Sequence, residues 1–112
     1  MQASRGEVWM IDLSPTQGHE QAGKRPALVV SIDQLNHGPA QLAIVLPITS
    51  RSRGIPTHVQ IDPPDGGLKK QSFALFEAVR SISTDRLAKR IGAVSPAIMR
   101  AVEDRLRILL GL

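Results

Sequence analysis

A mainly β domain with some α, formed as a curled antiparallel sheet or small barrel and carrying a short helix and a C-terminal helix, is predicted by three features of this sequence. Short apolar runs rich in β-branched residues recur along the first three quarters of the chain, each bounded by turn chemistry. A helical periodicity is confined to the C-terminal end. Repeats, low-complexity tracts and linkers are missing from the 112 residues, so a single domain, residues 1–112, is expected to do everything.

The elements follow in order. Gly6 to Leu13 reads as a strand, with Val8, Trp9, Met10, Ile11 and Leu13 broken only by Asp12 and ended by Ser14-Pro15. Thr16 to Arg25 is almost wholly polar and holds Gly18 and Gly23, which reads as a loop. Ala27 to Ile32, Gln41 to Ile48 and the alternating Thr57 to Ile61 are further strands, and Phe73 to Phe76 with Ala78 to Ile82 complete the set. Thr49 to Pro56 is a second polar loop, and Asp62-Pro63-Pro64-Asp65-Gly66-Gly67 is strong turn chemistry. Ser83-Thr84-Asp85 opens a short helix through Arg90, stopped at Gly92, and Ser95-Pro96 caps the long one. On that helix Ile98, Met99, Val102, Leu106, Leu109 and Leu110 share a face, a stripe that core packing explains.

Composition narrows the function. The chain is 42% hydrophobic and 21% charged, an ordinary globular balance, and no segment approaches the ~18 apolar residues of a membrane span. Met1 to Gly6 holds no apolar signal core, and cysteine is absent, which rules out disulfides and thiolate metal sites. A cytoplasmic protein with no membrane partner is expected. Lys and Arg number 14 against 10 Asp and Glu, a net +4, the bias of a protein that meets polyphosphate, although many basic domains bind no nucleic acid.

Plain side chains must carry any chemistry. The three histidines, His19, His37 and His58, have no H-x-H or H-x-x-x-H spacing, and no phosphate-cradling glycine motif occurs, so no metal or other cofactor is expected. The densest functional cluster is Gly18-His19-Glu20-Gln21-Ala22-Gly23-Lys24-Arg25-Pro26 at the mouth of a strand. Read structurally, Glu20 and Arg25 are a solvated ion pair and the glycines turn the chain. The second cluster, Pro47-Ile48-Thr49-Ser50-Arg51-Ser52-Arg53, sets hydroxyls and guanidiniums just past a buried strand end, where a phosphate would find donors and positive charge. Taken locally, a strand-ending turn with solvated arginines accounts for it somewhat better.

Together these segments resemble the MazF/PemK family of ribonuclease toxins. Arg5-Gly6-Glu7-Val8 is similar to that family's R-G-[DE]-[IV] opening, Gly18-x-Glu20-Gln21-x-Gly23-x-Arg25-Pro26 to its loop motif, and Pro47-Ile48-Thr49-Ser50 to its second active-site segment. Resemblance continues through Ile55-Pro56-Thr57-His58-Val59, Leu75 to Ile82 and Leu87 to Gly92, covering about residues 5 to 112.

The resemblance implies an SH3-like curled antiparallel barrel of the CcdB/MazF kind, working as a homodimer whose interface helps form an RNA groove. It implies metal-independent, sequence-specific cleavage of single-stranded RNA by attack of the ribose 2′-OH, leaving 2′,3′-cyclic phosphate and 5′-OH ends and so stopping translation and growth. Arg25 matches the catalytic arginine and Thr49 the catalytic threonine, with Glu20 the third choice. Such a reaction needs a base for the 2′-OH, stabilisation of charge on phosphorus and a proton for the departing oxygen. A guanidinium that stays protonated suits the second task and is a poor base, so Arg25 is assigned to charge stabilisation. Thr49 would hold the scissile phosphate, and Glu20 or a water would take the 2′ proton. Gly18, His19, Gln21, Lys24, Ser50, Arg51, Arg53, Thr57, His58 and Arg80 are the expected RNA contacts.

The resemblance also implies a cognate antitoxin whose acidic tail lies along the basic groove, with DNA met only through that partner. Many relatives carry glutamine at the position of Ala78, which bears on the cleavage sequence more than on catalysis. Only Trp9, Phe73 and Phe76 are aromatic, so base reading must rest on polar loop groups. Two rivals share the fold: a CcdB-like gyrase poison, and a noncatalytic RNA-binding autoregulator. The Arg25 and Thr49 segments favour the ribonuclease, and Leu109-Leu110-Gly111-Leu112 offers no polar group for contacting gyrase.

Overall fold

The computed structural model describes residues 2–13, 23–51, 54 and 58–112. Its strands are β1 (Glu7–Asp12), β2 (Lys24–Val29), β3 (Leu42–Thr49), β4 (Val59–Ile61), β5 (Ser72–Ala74), β6 (Arg80–Ser83) and β7 (Leu87–Ala93); its helices are α1 (Asp33–Asn36) and α2 (Pro96–Leu110). The sheet runs β4-β5-β3-β2-β1-β7, with β6 also on β3, and every pairing is antiparallel. It curls into a barrel-like shape without closing, so β4 and β7 end the order. The long β3 is shared: Leu42 to Val45 pair with β6, and Ile48 and Thr49 with β5.

Both faces of the central strands are buried. Val8, Leu28, Leu46 and Ile48 pack with Ile61 and Phe76 beneath α2, which contributes Val102, Ile98, Met99 and Leu106. The alternate residues Trp9, Ile11, Ala27, Val29 and Val45 form a second cluster with Ala3, Leu13, Ile82 and Leu87. Two-sided burial is why these strands read as nearly continuous apolar runs rather than as alternating ones. Each fully buried aliphatic side chain is worth roughly 1.5–3 kcal/mol.

The segment Arg5-Gly6-Glu7 ties this sheet to its surroundings. Arg5 donates from its backbone N–H to Asp33 of α1 at 2.8 Å, from Nε to the Val30 carbonyl at 3.1 Å, and from its guanidinium to Glu103 of α2 at 2.8 Å. Gly6, at φ +91°, turns the chain so that its N–H reaches Val29 and its carbonyl accepts from Val94. Glu7 accepts from the Ser4 amide at 2.7 Å, the Trp9 indole at 3.1 Å and Arg90 Nε on β7 at 2.6 Å. Burial pushes the Glu7 carboxyl up, but the Arg90 hydrogen bond, the Ser4 and Trp9 donors and the Arg90 charge outweigh it and hold the group below the ordinary range.

The predicted strands are found with shifted bounds, and so is the C-terminal helix: β2 begins at Lys24 and ends at Val29, so Lys24 and Arg25 lie on a strand rather than in the expected loop, and Thr49 ends β3 rather than opening the second loop. Ser95 Oγ accepts from the Ile98 N–H at 3.3 Å, Pro96 opens the first turn and Gly111 ends the helix at φ +72°. Two expectations are corrected. The helix expected from Ser83 to Arg90 is only a 3-10 turn at Thr84–Arg86, followed by β7. Its start signal is genuine, because Ser83 Oγ accepts from the Asp85 N–H, but pairing with β1 overrides the helix preference of Leu-Ala-Lys-Arg. The short helix lies instead at α1, where Asn36 donates to the Ser31 carbonyl at 2.9 Å and accepts from the Ser31 hydroxyl. The α2 stripe is core only as far as Leu106; Leu109 and Leu110 are 46% and 59% exposed.

The depressed Glu7 carboxyl gives a pH signature. A group that titrates lower in the folded state stabilises fully above its unfolded value, and that contribution is lost as pH falls through the folded one. Glu7→Gln should cost about 1–2 kcal/mol near neutral pH. It should also flatten the loss that urea titrations show for the wild type below the ordinary glutamate value of 4.5. Parallel pH profiles would contradict this assignment.

Candidate active site

β2 and β3 pair as Ala27 with Pro47, Leu28 with Leu46 and Val29 with Val45. Just past the last of these pairs, at the same end of the two strands, stand Arg25 on β2 and Thr49 on β3. Both line a hollow of about 350 Å³ with Lys24, Ser50, Lys69 and Lys70. The two residues singled out from separate sequence segments therefore meet at one end of the sheet.

Their settings suit different tasks. Arg25 is half-buried with its Nε shielded from solvent, so its charge acts where water screens it less. Thr49 Oγ1 accepts from the Arg51 N–H at 3.2 Å. Since a hydroxyl both accepts and donates, this contact leaves the O–H to be given to a ligand in the hollow. Among the described residues no carboxylate lines the hollow, whereas Lys24, Arg25, Lys69 and Lys70 do, an arrangement that suits a phosphate group.

Lys69 and Lys70 are the site residues that sequence reasoning missed. Asp65 accepts from the Ser95 N–H and hydroxyl, both at 2.8 Å, which fastens the Asp62–Gly67 turn to the start of α2. The turn also lies backbone to backbone on β7: a Cβ on Gly92 would come within 2.7 Å of Gly66, so glycine is needed there. Leu68 then enters the core, and the exposed lysines follow at the mouth of the hollow. The available signal was a lysine pair directly after a turn and an apolar anchor.

The other predicted residues are distributed differently. Arg51 is exposed just past Thr49. The His58 ring is only 3% exposed, and its Nε2 donates to the two Glu77 oxygens at 2.8 and 2.9 Å, tying the entry to β4 to the Phe76–Ala78 turn rather than facing the hollow. Arg80 stands on β6 opposite Val45, higher up β3, and Ala78 is half-buried in that turn. Gly18, His19, Glu20, Gln21, Arg53 and Thr57 lie outside the described residues. Among the described residues no three His, Asp or Glu side chains gather as metal ligands.

The chain matches the family model of PemK-like, MazF-like toxins of type II toxin-antitoxin systems over residues 4–110. It belongs to that family. Among curated relatives, endoribonuclease MazF9 of Mycobacterium tuberculosis is 37% identical, with 96% of each chain covered. Among solved structures, MazF of Deinococcus radiodurans superposes with a TM-score of 0.87 at 29% identity, covering 100% of this chain and 99% of that one. A mycobacterial endoribonuclease in complex with its cognate antitoxin gives a TM-score of 0.79 at 26% identity, covering 98% of this chain and 94% of that one. Within this PemK/MazF chain, the matched opening segment Arg5-Gly6-Glu7 is thus a structural fastening, and the matched Arg25 and Thr49 segments form the hollow.

Replacing Lys69 or Lys70 by alanine should each lower the salt dependence of single-stranded polynucleotide binding by about one unit of log-log slope, without a lower melting temperature. Unchanged slopes would place both lysines outside the bound path.

Proposed function

We propose that this chain is a metal-independent endoribonuclease toxin that cleaves single-stranded RNA within the hollow between β2 and β3. The observation that carries the reading is that Arg25 and Thr49 line one hollow together with Lys24, Lys69 and Lys70. The scissile phosphate sits between them. Arg25 neutralises charge that builds on the non-bridging oxygens as the 2′-OH attacks, and the Thr49 hydroxyl donates to one of those oxygens. The bond from phosphorus to the 5′ oxygen breaks as a water in the hollow gives that oxygen a proton, leaving 2′,3′-cyclic phosphate and 5′-OH ends. Glu20 or an ordered water takes the 2′ proton, because a guanidinium is a poor base.

The working unit is a homodimer, for which the exposed Ile108, Leu109, Leu110 and Leu112 at the end of α2 supply an apolar face that a second copy would cover. The partner is a cognate antitoxin with an acidic tail, in line with the MazE–MazF structures of Deinococcus radiodurans, and the cations of the hollow complement such a tail. No helix among the described residues is long and apolar enough to cross a membrane, and the site of action is the cytoplasm, where mRNA is translated.

Cleavage of a mixed-sequence single-stranded RNA in excess EDTA tests the reading. Wild type should cleave and leave cyclic phosphate ends, while Arg25→Ala and Thr49→Ala should each lose about 100- to 1,000-fold in rate with the circular dichroism spectrum intact. Glu20→Gln should lower the single-turnover rate far more than RNA affinity. Absence of cleavage by folded wild type would turn the reading to a noncatalytic binder, and gyrase inhibition would turn it to a gyrase poison.

A further inference from the structure

The strand register carries the Thr49 position outward along one face of the sheet. Thr49 on β3 pairs with Phe73 on β5, and Phe73 pairs with Gln60 on β4, so the three side chains stand in one row. Their neighbours Ile48, Ala74 and Val59 pair in the same way and are buried in the cluster under α2. The Thr49 row is therefore on the opposite face, where Thr49 and Phe73 are half-buried and Gln60 is exposed. Trp9 and Phe76, the other two aromatics of the chain, are 2% and 1% exposed, which leaves Phe73 as the aromatic ring that reaches the surface.

Beyond Phe73 the row ends on a fixed amide. Gln60 Nε2 donates to Asp62 Oδ1 at 2.9 Å, and Gln71 Nε2 donates to the same oxygen at 3.1 Å. An ionised carboxylate bonds only to the amide nitrogen, so Gln60 keeps its carbonyl oxygen as an acceptor for a ligand. The bonds from Gln60 and then Gln71 hold the Asp62 carboxyl below its ordinary range, and it stays charged at neutral pH. Charge thus changes sign along the row: Lys24, Arg25, Lys69 and Lys70 line the hollow with Thr49, and a carboxylate stands behind Gln60. A nucleotide has the matching polarity, with an anionic phosphate at one end and the N–H groups of its base at the other, whereas an acidic peptide would be repelled by Asp62. At ~5 Å between paired residues, a base stacked on Phe73 lies beside a phosphate held at Thr49. We infer that Phe73 and Gln60 determine specificity at one nucleotide flanking the scissile phosphate: Phe73 stacks its base, and the Gln60 carbonyl accepts from the exocyclic amino group, which favours adenine, cytosine or guanine over uracil. The inference rests on the ribonuclease reading above.

The test is cleavage of a randomised single-stranded RNA pool by wild type, Gln60→Ala, Phe73→Ala and Phe73→Tyr, with every cut site sequenced and each melting temperature measured. Wild type should disfavour uracil about five- to tenfold at one of the two positions flanking the cut. Gln60→Ala should lose that discrimination and keep the preferences at all other positions. On the site that wild type prefers, Phe73→Ala should lower kcat/KM about tenfold or more, and Phe73→Tyr, which keeps the ring, should restore it. Should Phe73→Ala melt below the assay temperature, Phe73→Leu removes the ring while keeping apolar bulk, and the same loss is expected.

Uracil accepted as readily as the other bases at both flanking positions would overturn the assignment. So would a Gln60→Ala profile identical to that of wild type, or full activity in the folded variant that lacks the Phe73 ring. Wild type that leaves the pool whole would overturn the ribonuclease reading first, and this assignment with it.

Discussion

The structure depends on the register of β2 on β3. Ala27, Val29 and Val45 enter one apolar cluster while Leu28, Leu46 and Ile48 enter the other. A slip of one residue would exchange every one of these side chains between clusters of different shape, so packing on both faces locks the pairing. Arg25 and Thr49 lie just past the end of that locked ladder. Their place in one hollow is therefore enforced by aliphatic packing several residues away, without a second layer of polar supports.

Around this ladder, polar contacts fasten the parts that packing alone leaves loose. Glu7 joins β1 to β7, Arg5 joins it to α1 and α2, and Asp65 joins the turn after β4 to the cap of α2. The Asp65 contact controls the approach of Lys69 and Lys70, since it sets where the chain leaves the turn. The Glu7 contact fixes the course of the Arg90 side chain on β7.

Much of this was legible in the sequence, and the rest was not for identifiable reasons. The Ser95-Pro96 cap and the β-branched runs are local signals, and local structure followed them. The Leu87–Ala93 strand was hidden because its composition favours a helix and only pairing with distant β1 decides otherwise. α1 was hidden because Ser31, Asn36 and Asp33 build it by hydrogen bonds that carry no periodicity. Of the site, Arg25 and Thr49 were readable from motifs, but Lys69 and Lys70 depend on a turn docking against β7, and the inward His58 depends on Glu77, 19 residues on. Long-range contact is the common cause.

Two-sided burial of the central strands has a consequence for how such a toxin is lost. Where the residues of a site sit on a loop, core damage and loss of the site can part company; here Arg25 and Thr49 end strands that the core aligns. Damage at Leu28, Val45 or Leu46 would displace the hollow as well as loosen the core. Escape mutations would therefore spread along the interior of the sheet, and a map of them would trace its packing as much as its chemistry.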